Sequence, residues 1–130
     1  MHPYRHRFLV RYAEADQQGV VFNAHYLTYC DTAIDFWWRS LGLGVGDREF
    51  DCMVVKAVVE WQGSAKYAEE LDIEVFVSRW GKTSFDVTCN GTVGERSIFA
   101  AVITYVGVRR GTTDTLQVPD AMKSALGGPA

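Results

Sequence analysis

The chain has 130 residues, of which 48% are apolar and 22% charged, and a formal net charge of -3. That length suits one domain with a real core, and the composition excludes a disordered chain. The mildly acidic balance speaks against a generic binder of nucleic acid or acidic membranes, and neither is expected as a partner.

Cys30, Cys52 and Cys89 form no CxxC pair and suit buried free thiols in a reducing compartment. His2, His6 and His25 lack the spacing of metal ligands, so no metal is expected. The N-terminus has no apolar core of a secretory signal. The longest apolar run, Phe99 to Val108, is about half the length a bilayer needs. A cytoplasmic location is therefore expected. No linker, repeat or low-complexity segment divides the chain, so residues 1–130 read as one domain.

Arg5 to Tyr12 alternates enough to be a first strand, and its basic residues Arg5, His6, Arg7 and Arg11 read as a solvated strand face. Glu14 to Gly19 is polar and turn-rich. From Ala24 to Leu41, the residues Leu27, Cys30, Ile34, Trp37, Trp38 and Leu41 recur at the helical period, with Tyr26, Tyr29, Ala33 and Phe36 as a second apolar flank. Asn23 is a favourable N-cap for this helix and Gly42 a favourable stop. After a Gly-rich loop (Gly42 to Gly46) the pattern turns to strands. Met53 to Trp61 is β-rich, and Leu71, Ile73, Val75 and Val77 alternate with polar neighbours. Phe85, Val87 and Cys89 do the same, and Ile98 to Arg109 reads as a long buried strand. Short Gly-marked connections at Trp80 to Thr83 and Gly91 to Glu95 suit antiparallel hairpins. Pro119 opens a short C-terminal helix that ends before Gly127. The sum is an α+β domain, an antiparallel sheet curled around a single long helix.

The stretch from Arg11 to Leu27 places a carboxylate, a glycine turn and a helix start close together. A helix N-terminus offers unpaired N–H groups and partial positive charge, which suit a developing oxyanion. Asp16 is the first candidate for a catalytic carboxylate, against an Asx-turn or a solvated loop residue. Glu14 reads either as a second carboxylate or as an exposed strand end. Tyr12 either orients Asp16 through its hydroxyl or packs as a strand residue. Asn23 caps the helix, worth ~1 kcal/mol, or faces a substrate carbonyl with its side chain or backbone N–H. A preorganised donor of that kind is worth ~3 kcal/mol in the transition state. His25 lies in the first helical turn, where a helix N-terminus disfavours imidazolium and an ordinary histidine is the favoured reading. Trp37, Trp38, Tyr26, Tyr29 and Phe36 either line an aromatic acyl pocket or, more commonly at this spacing, pack the core.

The segment from Tyr12 to Ala33 resembles the signature of the hotdog-fold acyl-CoA thioesterases, in their 4-hydroxybenzoyl-CoA thioesterase-like branch. The matching residues are Tyr12, Glu14-Ala15-Asp16, Gly19-Val20-Val21-Phe22 and Tyr26-Leu27. Trp80-Gly81-Lys82-Thr83-Ser84-Phe85 is similar to the family's W-x-[RK]-x-S-[FM] hairpin. The resemblance implies a hotdog fold, a sheet of about five strands wrapped around one long helix. It implies hydrolysis of an acyl-CoA or acyl-ACP thioester with no metal or organic cofactor. By position, Asp16 matches the catalytic carboxylate, nucleophile or general base, and the backbone N–H of Asn23 the donor that polarises the carbonyl. Tyr12 completes the catalytic set. Lys82 matches a contact to the coenzyme A phosphates. Gly19, Val20, His25, Tyr26, Trp61 and Ser84 fall at substrate-binding positions. A homodimer or homotetramer with sites at the dimer interface is implied as well.

Three departures bear on the carrier. The first acidic position is Glu14 rather than Asp, and Lys82 is the hairpin's one basic residue. Asn23 is similar to the V-N-N-A-x-Y-L form of acyl-ACP thioesterases. Two other readings remain: a non-catalytic hotdog domain that binds an acyl thioester, and a hotdog hydratase or dehydratase.

Overall fold

The computed structural model of the protein describes residues 3–43 and 49–129. Its elements run β1 (Tyr4–Leu9), α1 (His25–Ser40), β2 (Phe50–Trp61), β3 (Glu70–Trp80), β4 (Ser84–Val93), β5 (Arg96–Arg109) and α2 (Asp120–Leu126), with a 3-10 turn at Tyr12–Glu14. The five strands make one antiparallel sheet in the order β1-β3-β4-β5-β2. The expected order of strand, helix and four strands is therefore present. The single long helix expected at 24–41 spans 16 residues, and the short α2 joins it as a second helix. Pro119 stands at the start of α2 and Gly127 at its end, as their punctuation predicts. His2 and Gly44 to Gly46 of the expected loop lie outside the described residues.

The period-two pattern of the strands builds the core. Leu71, Ile73, Val75 and Val77 of β3, Phe85, Val87 and Cys89 of β4, and Phe99, Ala101, Ile103 and Tyr105 of β5 turn one way and are buried. Against them α1 buries Tyr26, Tyr29, Cys30, Ala33, Ile34 and Trp37. This stripe is rotated from the expected one: Leu27, Phe36 and Leu41 are exposed. The reason is topological. The helix lies over β1 and β3, so its tyrosine flank is covered, and Leu27 faces the uncovered side toward β2. The other sheet face is charged and solvated, with ion pairs Arg5–Glu74, Arg7–Asp72 and Arg79–Asp86.

The two ends of α1 differ in how well they match expectation. At its C-terminus the N–H of Gly42 reaches the carbonyl of Arg39 (3.0 Å) and that of Leu43 the carbonyl of Trp38 (2.9 Å). With Gly42 at φ 75°, this is the Schellman arrangement that stops a helix. At the N-terminus Asn23 is not the cap: Ala24 occupies that position with no side-chain cap bond. The carbonyl of Phe22 takes the N–H of His25 instead (2.9 Å), so a backbone turn opens the helix.

Strand β2 lies at one sheet edge and exposes Met53, Val54, Val55, Val58 and Trp61. A long edge strand carrying this much apolar surface is a template for pairing with another chain.

Candidate active site

The segment between β1 and α1 folds back on itself as a small hairpin. Ala15 and Val21 form an antiparallel bridge, the N–H of Asp16 meets the carbonyl of Val20 (2.8 Å), and the N–H of Phe22 meets that of Glu14 (3.0 Å). The tip is the turn Asp16 to Gly19, closed by the Gly19 N–H on the Asp16 carbonyl at 3.0 Å. Asp at its first position and Gly at its last are what a type I turn favours. Gly19, at φ 78°, takes a conformation that other residues adopt at a cost. One carboxylate oxygen of Asp16, Oδ1, accepts the Gln18 N–H at 2.8 Å, so the Asx-turn is present. That bond holds the exposed side chain by one oxygen, and the other has no hydrogen-bond partner among the described residues.

The hairpin is docked on the segment that joins β2 to β3. Val20 bridges Lys66, the Val21 N–H reaches the carbonyl of Ala65 (2.9 Å), and the Tyr67 N–H reaches that of Gly19 (3.3 Å). Tyr26 is fully buried against Tyr29, Trp61 and Phe99, and its hydroxyl accepts the Ala65 N–H at 3.1 Å. Burial raises its phenol pKa, with the Asp16 charge adding to the rise and the Ala65 bond opposing it. Tyr26 therefore belongs to the core that supports the hairpin, and its expected place among the substrate contacts is not where the fold puts it.

Glu14 proves to be neither a strand end nor an open carboxylate. Its oxygens accept the Arg11 backbone N–H (2.8 Å) and the Arg11 guanidinium (3.0 and 3.2 Å). Burial alone raises a carboxyl pKa, but these bonds and the adjacent Tyr29 hydroxyl outweigh it and hold Glu14 below the ordinary range. The Tyr29 hydroxyl is itself buried with no well-formed hydrogen bond. Burial, with the Glu14 charge nearby, pushes its pKa up.

Around Asp16 lies an open depression lined by Tyr12, Ala13, Ala15, Gln17, Gly19 and Tyr67. Tyr12 is 79% exposed and sits in the 3-10 turn rather than a strand. Its ring meets that of Tyr67 edge-on at 5.7 Å, and its hydroxyl makes no hydrogen bond to Asp16. Tyr67 has a weak signal in the sequence, a single aromatic in a polar loop. Asn23 is exposed at the start of α1, and no acceptor among the described residues takes its N–H or that of Ala24. The half-buried His25 meets the Phe22 ring edge-on at 5.8 Å. Trp61, half exposed, meets Tyr26 at the same end of the sheet.

Lys82 and Ser84 are not brought to this place. They follow β3, whose eleven residues begin next to the Asp16 hairpin and end at Trp80. At ~3.3 Å per residue, that strand separates them from Asp16 by roughly 35 Å. Ser84 Oγ accepts a guanidinium N–H of Arg79 at 3.1 Å. Of the aromatics weighed for an acyl pocket, Trp37, Tyr26 and Tyr29 are core, and Trp38 packs against Phe85 and Tyr105. Among the described residues no group of three His, Cys, Asp or Glu is placed to hold a metal ion.

The sequence pattern of the thioesterase-like superfamily matches residues 10–126, the hairpin and the six elements after it included. The chain belongs to the thioesterase-like superfamily. Solved structures agree in fold. A thioesterase-superfamily protein from Jannaschia sp. CCS1 is 18% identical with a TM-score of 0.90, over 98% of this chain and 94% of that one. The 1,4-dihydroxy-2-naphthoyl-CoA thioesterase of Synechocystis is 18% identical with a TM-score of 0.85, over 95% and 94%. A probable thioesterase from Bartonella henselae is 18% identical with a TM-score of 0.78, over 92% and 100%. No curated protein sequence matches significantly. In this superfamily member no helix among the described residues is long and apolar enough to cross a membrane.

Proposed function

We propose that this superfamily member hydrolyses the thioester of an acyl-CoA, or of an acyl carrier protein, to free acid and thiol. The observation that carries the reading is that one hairpin bears both halves of an acyl-transfer site. Asp16 at its tip has a solvent-facing carboxylate oxygen, and the arm that returns from it ends in the unaccepted N–H groups of Asn23 and Ala24. Those N–H groups, at the positive end of α1, stabilise the oxyanion that forms on the thioester carbonyl. Asp16 supplies the attack in one of two forms. It removes a proton from water as the water adds to the carbonyl, or it adds itself and water then opens the anhydride. In both, the C–S bond breaks and the sulfur leaves as thiolate, so no cofactor is required.

A hydratase of this fold class asks for an imidazole partnered by a carboxylate. His25 meets a phenylalanine ring, and no carboxylate among the described residues bonds it.

The active unit we propose is a two-fold dimer formed along β2. Its exposed residues Val54 and Ala57 continue into a groove with Leu27, Thr28 and Asp31 of α1, open where a second helix would lie. Antiparallel pairing of two β2 strands about a two-fold axis sets the Lys82 end of one copy beside the Asp16 end of the other. This arrangement gives Lys82 and Ser84 a route to the substrate that a single chain lacks.

Free thiol followed colorimetrically over a panel of acyl-CoA and acyl-ACP substrates tests the reading. Release from at least one series supports it; saturable binding of every substrate with no release sinks it in favour of a binding domain.

A further inference from the structure

Resting on the reading of Asp16 above, we propose that Tyr67, with Tyr12, is the wall that holds the acyl group of the substrate. Neither the hairpin's turn chemistry nor the core needs these rings where they are. Tyr67 is 55% exposed and Tyr12 79%, yet they are held edge-on to each other beside a depression that contains Asp16.

The placement of Tyr67 is strained and locked. Ala68, the residue after it, has φ 69°, the one non-glycine residue with positive φ among those described. An L-residue takes that conformation at a cost that glycine avoids, and such strain persists only where the surroundings impose it. Here they do. The Ala68 N–H is fixed on the Val10 carbonyl (2.9 Å) and the Glu69 N–H on the Lys66 carbonyl (3.1 Å). The Glu69 carboxylate takes the Lys66 N–H (2.7 Å) and the Arg96 guanidinium (2.8 and 3.0 Å). Tyr67 itself is tied through its N–H to Gly19, the last residue of the Asp16 turn.

The chemistry of the wall selects the hydrocarbon end of the substrate. Its surface is mainly two rings and the methyl groups of Ala13 and Ala15, with Gln17 and Gly19 beside Asp16 completing the lining. Three of the backbone donors around it are already used: Ala15 N–H by the Tyr12 carbonyl, Gly19 N–H by that of Asp16 and Tyr67 N–H by that of Gly19. The amide-bearing arm of coenzyme A or of a carrier protein needs a run of hydrogen-bond partners, and this face offers mainly ring carbon and methyl groups. An apolar acyl chain or ring needs only the contact.

The test is kinetic, with acetyl-, octanoyl- and benzoyl-CoA as substrates of the wild type, Tyr67→Ala, Tyr67→Phe and Tyr12→Ala. Tyr67→Ala is expected to lower kcat/KM roughly tenfold for octanoyl and benzoyl and by less than about twofold for acetyl, mostly through KM. Tyr67→Phe restores the wild-type values, and Tyr12→Ala repeats the acyl dependence. Both positions are exposed, and matched melting curves exclude unfolding as the cause. An equal loss for all three substrates places Tyr67 on the carrier and overturns the proposal, as does no loss at all. Calorimetric binding of S-octyl-CoA, a thioether that cannot be hydrolysed, reads the same wall without turnover. Weaker binding by Tyr67→Ala sustains the wall even if no thiol is released by the wild type; that second result counts against the proposed hydrolysis alone.

Discussion

The Tyr26 hydroxyl, in the first turn of α1, accepts the backbone N–H of Ala65 from the segment between β2 and β3. The carbonyl of the same Ala65 accepts the N–H of Val21 in the Asp16 hairpin. One residue thus joins the helix start to the hairpin, through a phenol that is 1% exposed. The position of the candidate carboxylate relative to the helix N-terminus is supported by a core bond in addition to the turn contacts of Asp16 itself.

Replacing Tyr26 by Phe keeps the ring and strands a buried N–H. The expected loss of stability is about 1–3 kcal/mol, measured by denaturant unfolding. Turnover should fall as well, because the Ala65 segment on which the hairpin is docked loses its bond to α1.

A steric prediction concerns Gly91 on β4, which lies opposite Phe99. A methyl group there would overlap the Phe99 ring, and the same ring packs on Tyr26. Gly91→Ala is expected to cost about 3 kcal/mol, at the upper end of core overpacking. Its melting temperature should fall well below that of an exposed control such as Gly94→Ala, where the new methyl meets open space but φ is 60°.

Glu14 sets a pH dependence. Its pKa is lower in the folded chain than the ordinary 4.5, since the Arg11 bonds outweigh the opposing effect of burial. A group of this kind stabilises the fold above its unfolded pKa, and the contribution is lost as pH falls through the folded value. Stability should therefore decline on acidification below about pH 4.5, and Glu14→Gln should show a shallower decline with lower stability at neutral pH.

The proposed dimer is read by mass. Val54 lies in one groove with Asp31, Asp51 and Asp35 of the same chain, so a carboxylate there meets like charge. Sedimentation should give twice the 14.6 kDa chain mass for the wild type and the single mass for Val54→Glu. An unchanged mass in the variant contradicts pairing along β2.

Much of this architecture was legible in the residues because it rests on local rules. Alternation marks β3 and β4, Gly42 stops α1, and Pro119 opens α2. What failed depends on tertiary placement. Asn23 is a good cap by type, yet the Phe22 carbonyl starts the first turn. Leu27 keeps the helical period but faces the uncovered edge, which no periodicity reveals. Within one chain β3 sets Lys82 and Asp16 at opposite ends of the sheet, which no local pattern reveals, so a place for Lys82 in the site rests on the proposed dimer. Tyr67 gives almost no signal, since its position comes from a strained turn at Ala68 and from the bond to Gly19.

The central claim is that the Asp16 carboxylate carries the chemistry from the tip of its hairpin. Asp16→Asn preserves size and an oxygen for the Gln18 N–H, so the turn survives while the charge is lost. With the best acyl thioester of the panel, thiol release should fall by roughly 10² or more, with KM and the melting temperature little changed. Turnover equal to that of the wild type would contradict the account.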